Sequence, residues 1–120
     1  MPADRTLSAV VIDSADPAAL AGFYGKLTGL DITYSDGTYV VLGDGPVKLG
    51  FQKVEGYQGP GWPDPAKHSH LDFTVADIES AANEVVALGA GRPDFQPGGD
   101  SWIVLTDPEG HIVGVVKSGQ

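Results

Sequence analysis

Cysteine is absent from the 120-residue sequence, which excludes disulfides, a thiol nucleophile and cysteine-ligated zinc or iron–sulfur centres. Any metal would need histidine and carboxylate ligands, and there are three histidines in all. Long unbroken apolar runs are missing too, so no membrane span is expected. Basic residues are few: 7 Lys and Arg against 16 Asp and Glu give a formal net charge of −9. Without a basic stripe to displace counterions, a nucleic-acid partner is not expected. That acidity suits the solubility of a small domain and names no substrate. The Met-Pro start lacks a charged-then-apolar leader, which predicts a cytoplasmic protein. The glycine-rich turns hold neither GxxxxGK[ST] nor GxGxxG, and the serines form no nucleophile elbow, so neither a phosphate-binding loop nor covalent catalysis is expected.

What is present centres on residues 68–89, HSHLDFTVADIESAANEVVALG. Leu71, Phe73 and Val75 alternate with His70, Asp72 and Thr74, the period-2 pattern of a half-buried strand. His70 is thereby expected on the polar face, as the one histidine with a buried look. Asp77 suits an N-cap, Glu79 suits the positive end of the helix dipole, and Ile78, Ala81, Val85 and Leu88 recur at helical spacing until Gly89.

The rest reads against this unit. Residues 7–14 form a β-branched strand, and Asp16-Pro17 then opens a helix that buries Leu20, Phe23, Tyr24 and Leu27 and ends at Gly29. Strands follow at 31–35, 38–42 and 47–54, joined at Asp36-Gly37 and at Gly43-Asp44-Gly45-Pro46. The second half repeats the order: strand 69–76, a helix to Leu88, a short strand near 92–95, strand 101–106, the turn Asp107-Pro108-Glu109-Gly110, and strand 111–117. One domain of two βαβββ modules is predicted, about 7–54 and 68–117, with a Pro- and Gly-rich loop at 55–67 carrying Tyr57 and Trp62. Either those aromatics anchor the loop or they cover a ligand.

The segment VVIDSADPAALAGFYGKLTGL, the strand SHLDFTVAD and the terminal WIVLTDPEGHIVGVV together resemble the vicinal oxygen chelate superfamily, the glyoxalase/bleomycin resistance/dioxygenase family. The resemblance implies an α+β fold in which tandem βαβββ modules form a curved mixed sheet around a cavity, in a homodimer with pockets near the interface. It also implies four metal-ligand positions, one on the first and one on the last strand of each module. Here one falls on His70, while the others fall near Ala9, near Gly50 with Gln52 as the nearest side chain, and on Gly114. A lone histidine with a glutamine is too weak a set for a divalent cation, so no metal and no cofactor are expected. Among possible rescuers, Glu109 should be solvated on its turn, His111 should face away from Gly114, and Asp72 remains.

The cavity face is expected to carry Gly50, Gln52, Gly114, His70 and Asp72, with Val47, Leu49 and Phe51 turned to the helix. The two glycines would widen the cavity for a flat ligand. Tyr39 joins this set. Trp102 depends on the last turn: a plain two-residue hairpin at Pro108-Glu109 places Ile103 and Leu105 beside Gly114 and Trp102 opposite, whereas a bulge reverses this. The expected function is non-catalytic binding of a flat or aromatic small molecule, a sequestration role like that of antibiotic-resistance members of the superfamily. Its ligand-contact set is His70, Gln52, Trp62, Tyr57, Asp72, Gly50, Gly114, Trp102 and Tyr39. The alternative is a metal-dependent lyase, isomerase or dioxygenase using His70.

Overall fold

In the first half a helix is laid on one face of a four-stranded sheet, and a computed structural model of the chain, which describes residues 7–64 and 69–117, shows why. The chain divides into two units, Met1–Tyr57 and Gln58–Gln120. The first contains β1 (Ala9–Ser14), α1 (Pro17–Thr28), β2 (Ile32–Ser35), β3 (Tyr39–Leu42) and β4 (Lys48–Lys53) in the sheet order β1-β4-β3-β2, with β1 parallel to β4. Asp16 caps α1 by accepting from Ala19 N at 3.2 Å, and Pro17 fits the first helical position because its missing N–H is not needed there. Gly29, at φ 77°, ends the helix with its N–H on Gly25 O. Leu20, Phe23 and Tyr24 of α1 are buried with Val40, Leu42 and Phe51 of the sheet. The Tyr24 ring stacks on Phe51 with centroids 5.4 Å apart. Phe51 thus faces the helix as expected, but Val47 lies outside β4 and is exposed.

The second unit has β5 (Leu71–Val75), α2 (Ile78–Ala87), β6 (Trp102–Thr106) and β7 (Ile112–Lys117), ordered β5-β7-β6 with β5 parallel to β7. Asp77 caps α2 by accepting from Ser80 N at 3.1 Å. The apolar face of α2 is centred on Ala82 and Val85, while Leu88, expected to be buried, is the C-cap and partly exposed. Ile103, Leu105, Val113 and Val115 form the buried sheet face.

The strand expected near 92–95 is not formed. A single bridge joins Gly91 to Thr106, and beyond it Gln96 serves the edge of β6, accepting from Val104 N and donating to Val104 O, both at 2.8 Å. Pro93 and Pro97 offer no N–H for a ladder, so one side-chain amide satisfies the backbone instead. Among the described residues no helix is long and apolar enough to cross a membrane.

Candidate functional site

Strand register decides which side chains share the face of each sheet that points away from its helix. In the first unit Val11 pairs with Gly50 and Gly50 with Val41; one step along, Asp13 pairs with Gln52 and Gln52 with Tyr39. Residues paired across a ladder lie on the same face, so Gly50, Gln52 and Tyr39 are brought together as expected. Gly50 does not widen this surface, however. A Cβ there would collide with the Tyr39 hydroxyl, so that ring occupies the space over the glycine.

Tyr34, which the sequence reading passed over, joins the same face. It pairs with Val41, and its ring lies 6.3 Å from Tyr39 at 50°. Asp36 fixes both tyrosines. Its carboxylate accepts from the Tyr34 hydroxyl at 2.6 Å, from Thr38 N at 2.8 Å and from Tyr39 N at 2.9 Å. The Tyr34 hydroxyl, followed by the Thr38 backbone amide, holds the Asp36 pKa down at about 2, and Asp36 in turn raises that of Tyr34. The available signal was the Tyr34-x-Asp36 spacing at the mouth of an Asp-Gly turn. It was obscured because a register shift between Ile32 and Tyr34 breaks the alternation.

In the second unit Asp72 pairs with Gly114 and Gly114 with Val104, while Thr74 pairs with Val116 and Val116 with Trp102. Trp102 therefore shares the face of Asp72 and Gly114, contrary to the plain-hairpin expectation. The reason lies in the turn. Thr106 pairs with Ile112, Asp107 N donates to His111 O at 2.9 Å, and Gly110 takes φ 92°. The loop is three residues rather than two, and the shift of one residue exchanges the faces of β6. Gly98 lies against the Trp102 ring with no room for a Cβ.

A Cβ on Gly114 would collide with Asp72 Oδ1, so here too a neighbouring polar group stands over the glycine. His70, just before β5, has Nε2 3.4 Å from that oxygen, and both side chains are about half exposed, at 49% and 50%. His70 is thus not a buried histidine. Of the two described histidines His111 is the more enclosed, with Nδ1 2.6 Å from Asp107 Oδ2 and side chains 15% and 0% exposed. Asp107 also accepts from Glu109 N and His111 N, so this pair is structural and holds the turn. Glu109 is half-buried in that turn rather than solvated.

Tyr57 and Trp62 fall in different units. The Tyr57 N–H closes a turn onto Val54 O at 3.1 Å. Trp62 donates Nε1–H to Phe95 O at 2.8 Å and stacks on the Phe95 ring at 6.0 Å and 20°. Gly59 N and Gly61 N bond Glu109 O and Gly110 O, so this part of the loop is tied to the last turn. The contacts of Trp62 are those of a packing anchor. Residues 65–67 of the loop, and His68, lie outside the described residues.

As a metal centre the set does not fit. Ala9, Gly50 and Gly114 bring no donor atom, leaving His70 with Asp72, and among the described residues no group of three or more His, Asp or Glu could hold an ion. A cleft of about 390 Å³ is lined by Asp16, Pro17, Asp36 and Lys53 among others, and its carboxylates are engaged in the α1 cap and the β2–β3 turn.

The glyoxalase-like domain family model matches residues 9–116. No curated protein matches the sequence. Among solved structures, a glyoxalase/bleomycin resistance protein/dioxygenase family enzyme from Burkholderia phytofirmans PsJN is similar, with a TM-score of 0.73, 18% identity, and coverage of 94% of this chain and 98% of that one. The bleomycin-binding protein from Streptomyces verticillus, solved with copper(II)-bleomycin, has a TM-score of 0.62 at 14% identity over 98% and 99% of the chains. The oxidase ChaP-H2 has a TM-score of 0.67 at 17% identity over 96% and 94%.

Proposed function

The chain belongs to the glyoxalase-like domain family of the vicinal oxygen chelate superfamily, and from that premise we propose a small-molecule binding protein that takes a flat or aromatic ligand without a metal. One observation carries the reading. In both units the central strand has a glycine where the resemblance places a metal ligand, and the space above it holds a polar group of a neighbouring strand, the Tyr39 hydroxyl or the Asp72 carboxylate. Each sheet also presents an aromatic ring in the matching place, Tyr39 pairing with Gln52 and Trp102 with Val116. Rings on a partly exposed strand face suit stacking, which adds about 0.5–1.5 kcal/mol beyond area burial.

Sequestration is the physiological form this reading takes, and a bleomycin-binding protein stands among the fold neighbours; a cytoplasmic location and a two-fold dimer belong to the same proposal. Thermal-shift screening over planar aromatic compounds tests it. A ligand at a hundred times its Kd should stabilise by about 2.7 kcal/mol. A panel that leaves the melting temperature unmoved, for wild type and at saturating concentration, argues against it.

A second reading, a metal-dependent lyase, isomerase or dioxygenase, is favoured by the His70–Asp72 pair and by the oxidase among the fold neighbours. Elemental analysis of protein purified without chelator separates the two. Stoichiometric metal lost in His70→Ala would replace the first reading with the second.

A further inference from the structure

On the helix-distal face of the second sheet, Asp72 is the one formally charged side chain that the strand register places among the described residues of β5, β6 and β7. Its carboxylate is half exposed, and among the described residues its ion-pair partner is an imidazole 3.4 Å away, not a lysine or arginine. The row one step along runs Thr74, Val116, Trp102, a polar, an apolar and an aromatic side chain in line across three strands. That row spans roughly 10 Å and Asp72 stands roughly 7 Å from Thr74 along the strand, so a drug-sized ring system lying across Val116 can touch both the Trp102 ring and the carboxylate. The anion on this surface is attractive to a positive charge, and the Trp102 ring on the same face offers a stacking surface. The net charge of −9 acts in the same sense at long range, raising the local concentration of cations.

We infer that the ligand of this face is a planar organic cation, its ring body on Trp102 and Val116 and its positive, proton-donating end on Asp72. This rests on the small-molecule reading above and adds the charge of the ligand to it. Asp72 serves as the specificity-determining group, and Trp102 supplies contact that is indifferent to charge.

Three tricyclic probes of similar outline test the inference by fluorescence titration: proflavine, cationic at pH 7; acridone, neutral; and anthracene-2-carboxylate, anionic. Wild type should bind proflavine at least ten-fold tighter than acridone, with the carboxylate weakest. D72N should weaken proflavine by about three- to ten-fold and leave acridone unchanged. E84Q, which removes the same formal charge from the exposed surface of α2, should alter neither. Trp102→Leu should weaken proflavine and acridone alike. Equal binding of proflavine and acridone by wild type overturns the inference while leaving the flat-ligand reading intact. A cation preference that survives D72N, or that E84Q reduces equally, also overturns it, since the selectivity then comes from overall charge. Failure of all three probes to bind overturns both. Thermal melts of each variant, with the salt dependence of proflavine binding in wild type as a measurement needing no substitution, separate loss of fold from loss of the site.

Discussion

Asp36 shows how much one side chain can organise. It is exposed, yet it collects the hydroxyl of Tyr34 and the amides of Thr38 and Tyr39, and so fixes two rings on the candidate face. Because its folded-state pKa is depressed to about 2 from an ordinary 3.8, its contribution to stability is present above about pH 4 and is lost as pH falls through about 2. Removing the largest cause of the depression should move the midpoint up. In Tyr34→Phe the Asp36 carboxyl carbon, followed by NMR, should titrate closer to the ordinary value, and the dependence of stability on pH between 2 and 4 should flatten. An unchanged midpoint would mean the hydroxyl bond is not populated in solution. Trp62 gives a second residue-scale expectation. Its ring has Phe95 as a partner and its Nε1–H has an acceptor, so Trp62→Ala should lower stability by roughly 1–3 kcal/mol from lost burial and stacking. Thermal unfolding reads this, and a melt within a degree of wild type would return the ring to the role of a ligand lid. Sequence alone left those two roles open because both place an aromatic on a Pro- and Gly-rich loop; the partner that distinguishes them, Phe95, is distant in sequence.

At the scale of elements, most of the architecture was legible because caps and periodicity coincide. Asp16-Pro17, Gly29 and Asp77 mark helix ends by local chemistry, and alternation in β4 and β5 gave the correct faces for Phe51, Gln52 and Asp72. Legibility stopped where parity depends on a count. The loop between β6 and β7 has one residue more than a plain hairpin at Pro108-Glu109, and that residue moves Trp102 to the other side. The missing strand at 92–95 is the second case, since a single glutamine replaces its ladder. Gln96→Ala would leave Val104 N–H and C=O without that partner at a position where Val104 is fully buried. An unsatisfied buried group costs about 1–3 kcal/mol. The variant should therefore be destabilised by about that amount, with faster amide exchange at Val104. Gln96→Glu, which keeps the acceptor for Val104 N–H but turns a carboxylate oxygen toward Val104 O and Pro93 O, should be at least as destabilised at neutral pH. Equal stability of all three proteins would show that water replaces the amide without cost.

At the scale of the whole molecule, the two units align in register over three strands each, β1, β4 and β3 against β5, β7 and β6. Val11, Gly50 and Val41 correspond to Asp72, Gly114 and Val104, and Tyr39 corresponds to Trp102. Each unit keeps the glycine and the aromatic, and they differ in which neighbour stands over the glycine. Two such units leave edge strands, β1 and β2 in one sheet and β5 and β6 in the other. The first unit also exposes Leu7 and Val47, at 68% and 48%, beside the Lys48 N to Ser8 O bond that joins the starts of β1 and β4. Apolar side chains clustered at an edge are what a self-complementary patch would cover. For a chain of 12.4 kDa, light scattering at micromolar concentration should therefore give twice the chain mass, with a melting temperature that rises with protein concentration. Val47→Glu should shift the equilibrium toward monomer while leaving the circular dichroism spectrum unchanged, because the side chain is outside the core of its own unit. A wild-type mass of one chain at a hundred micromolar, with a melting temperature independent of concentration, would rule the dimer out and would leave Leu7 and Val47 as solvent-facing residues of a monomer.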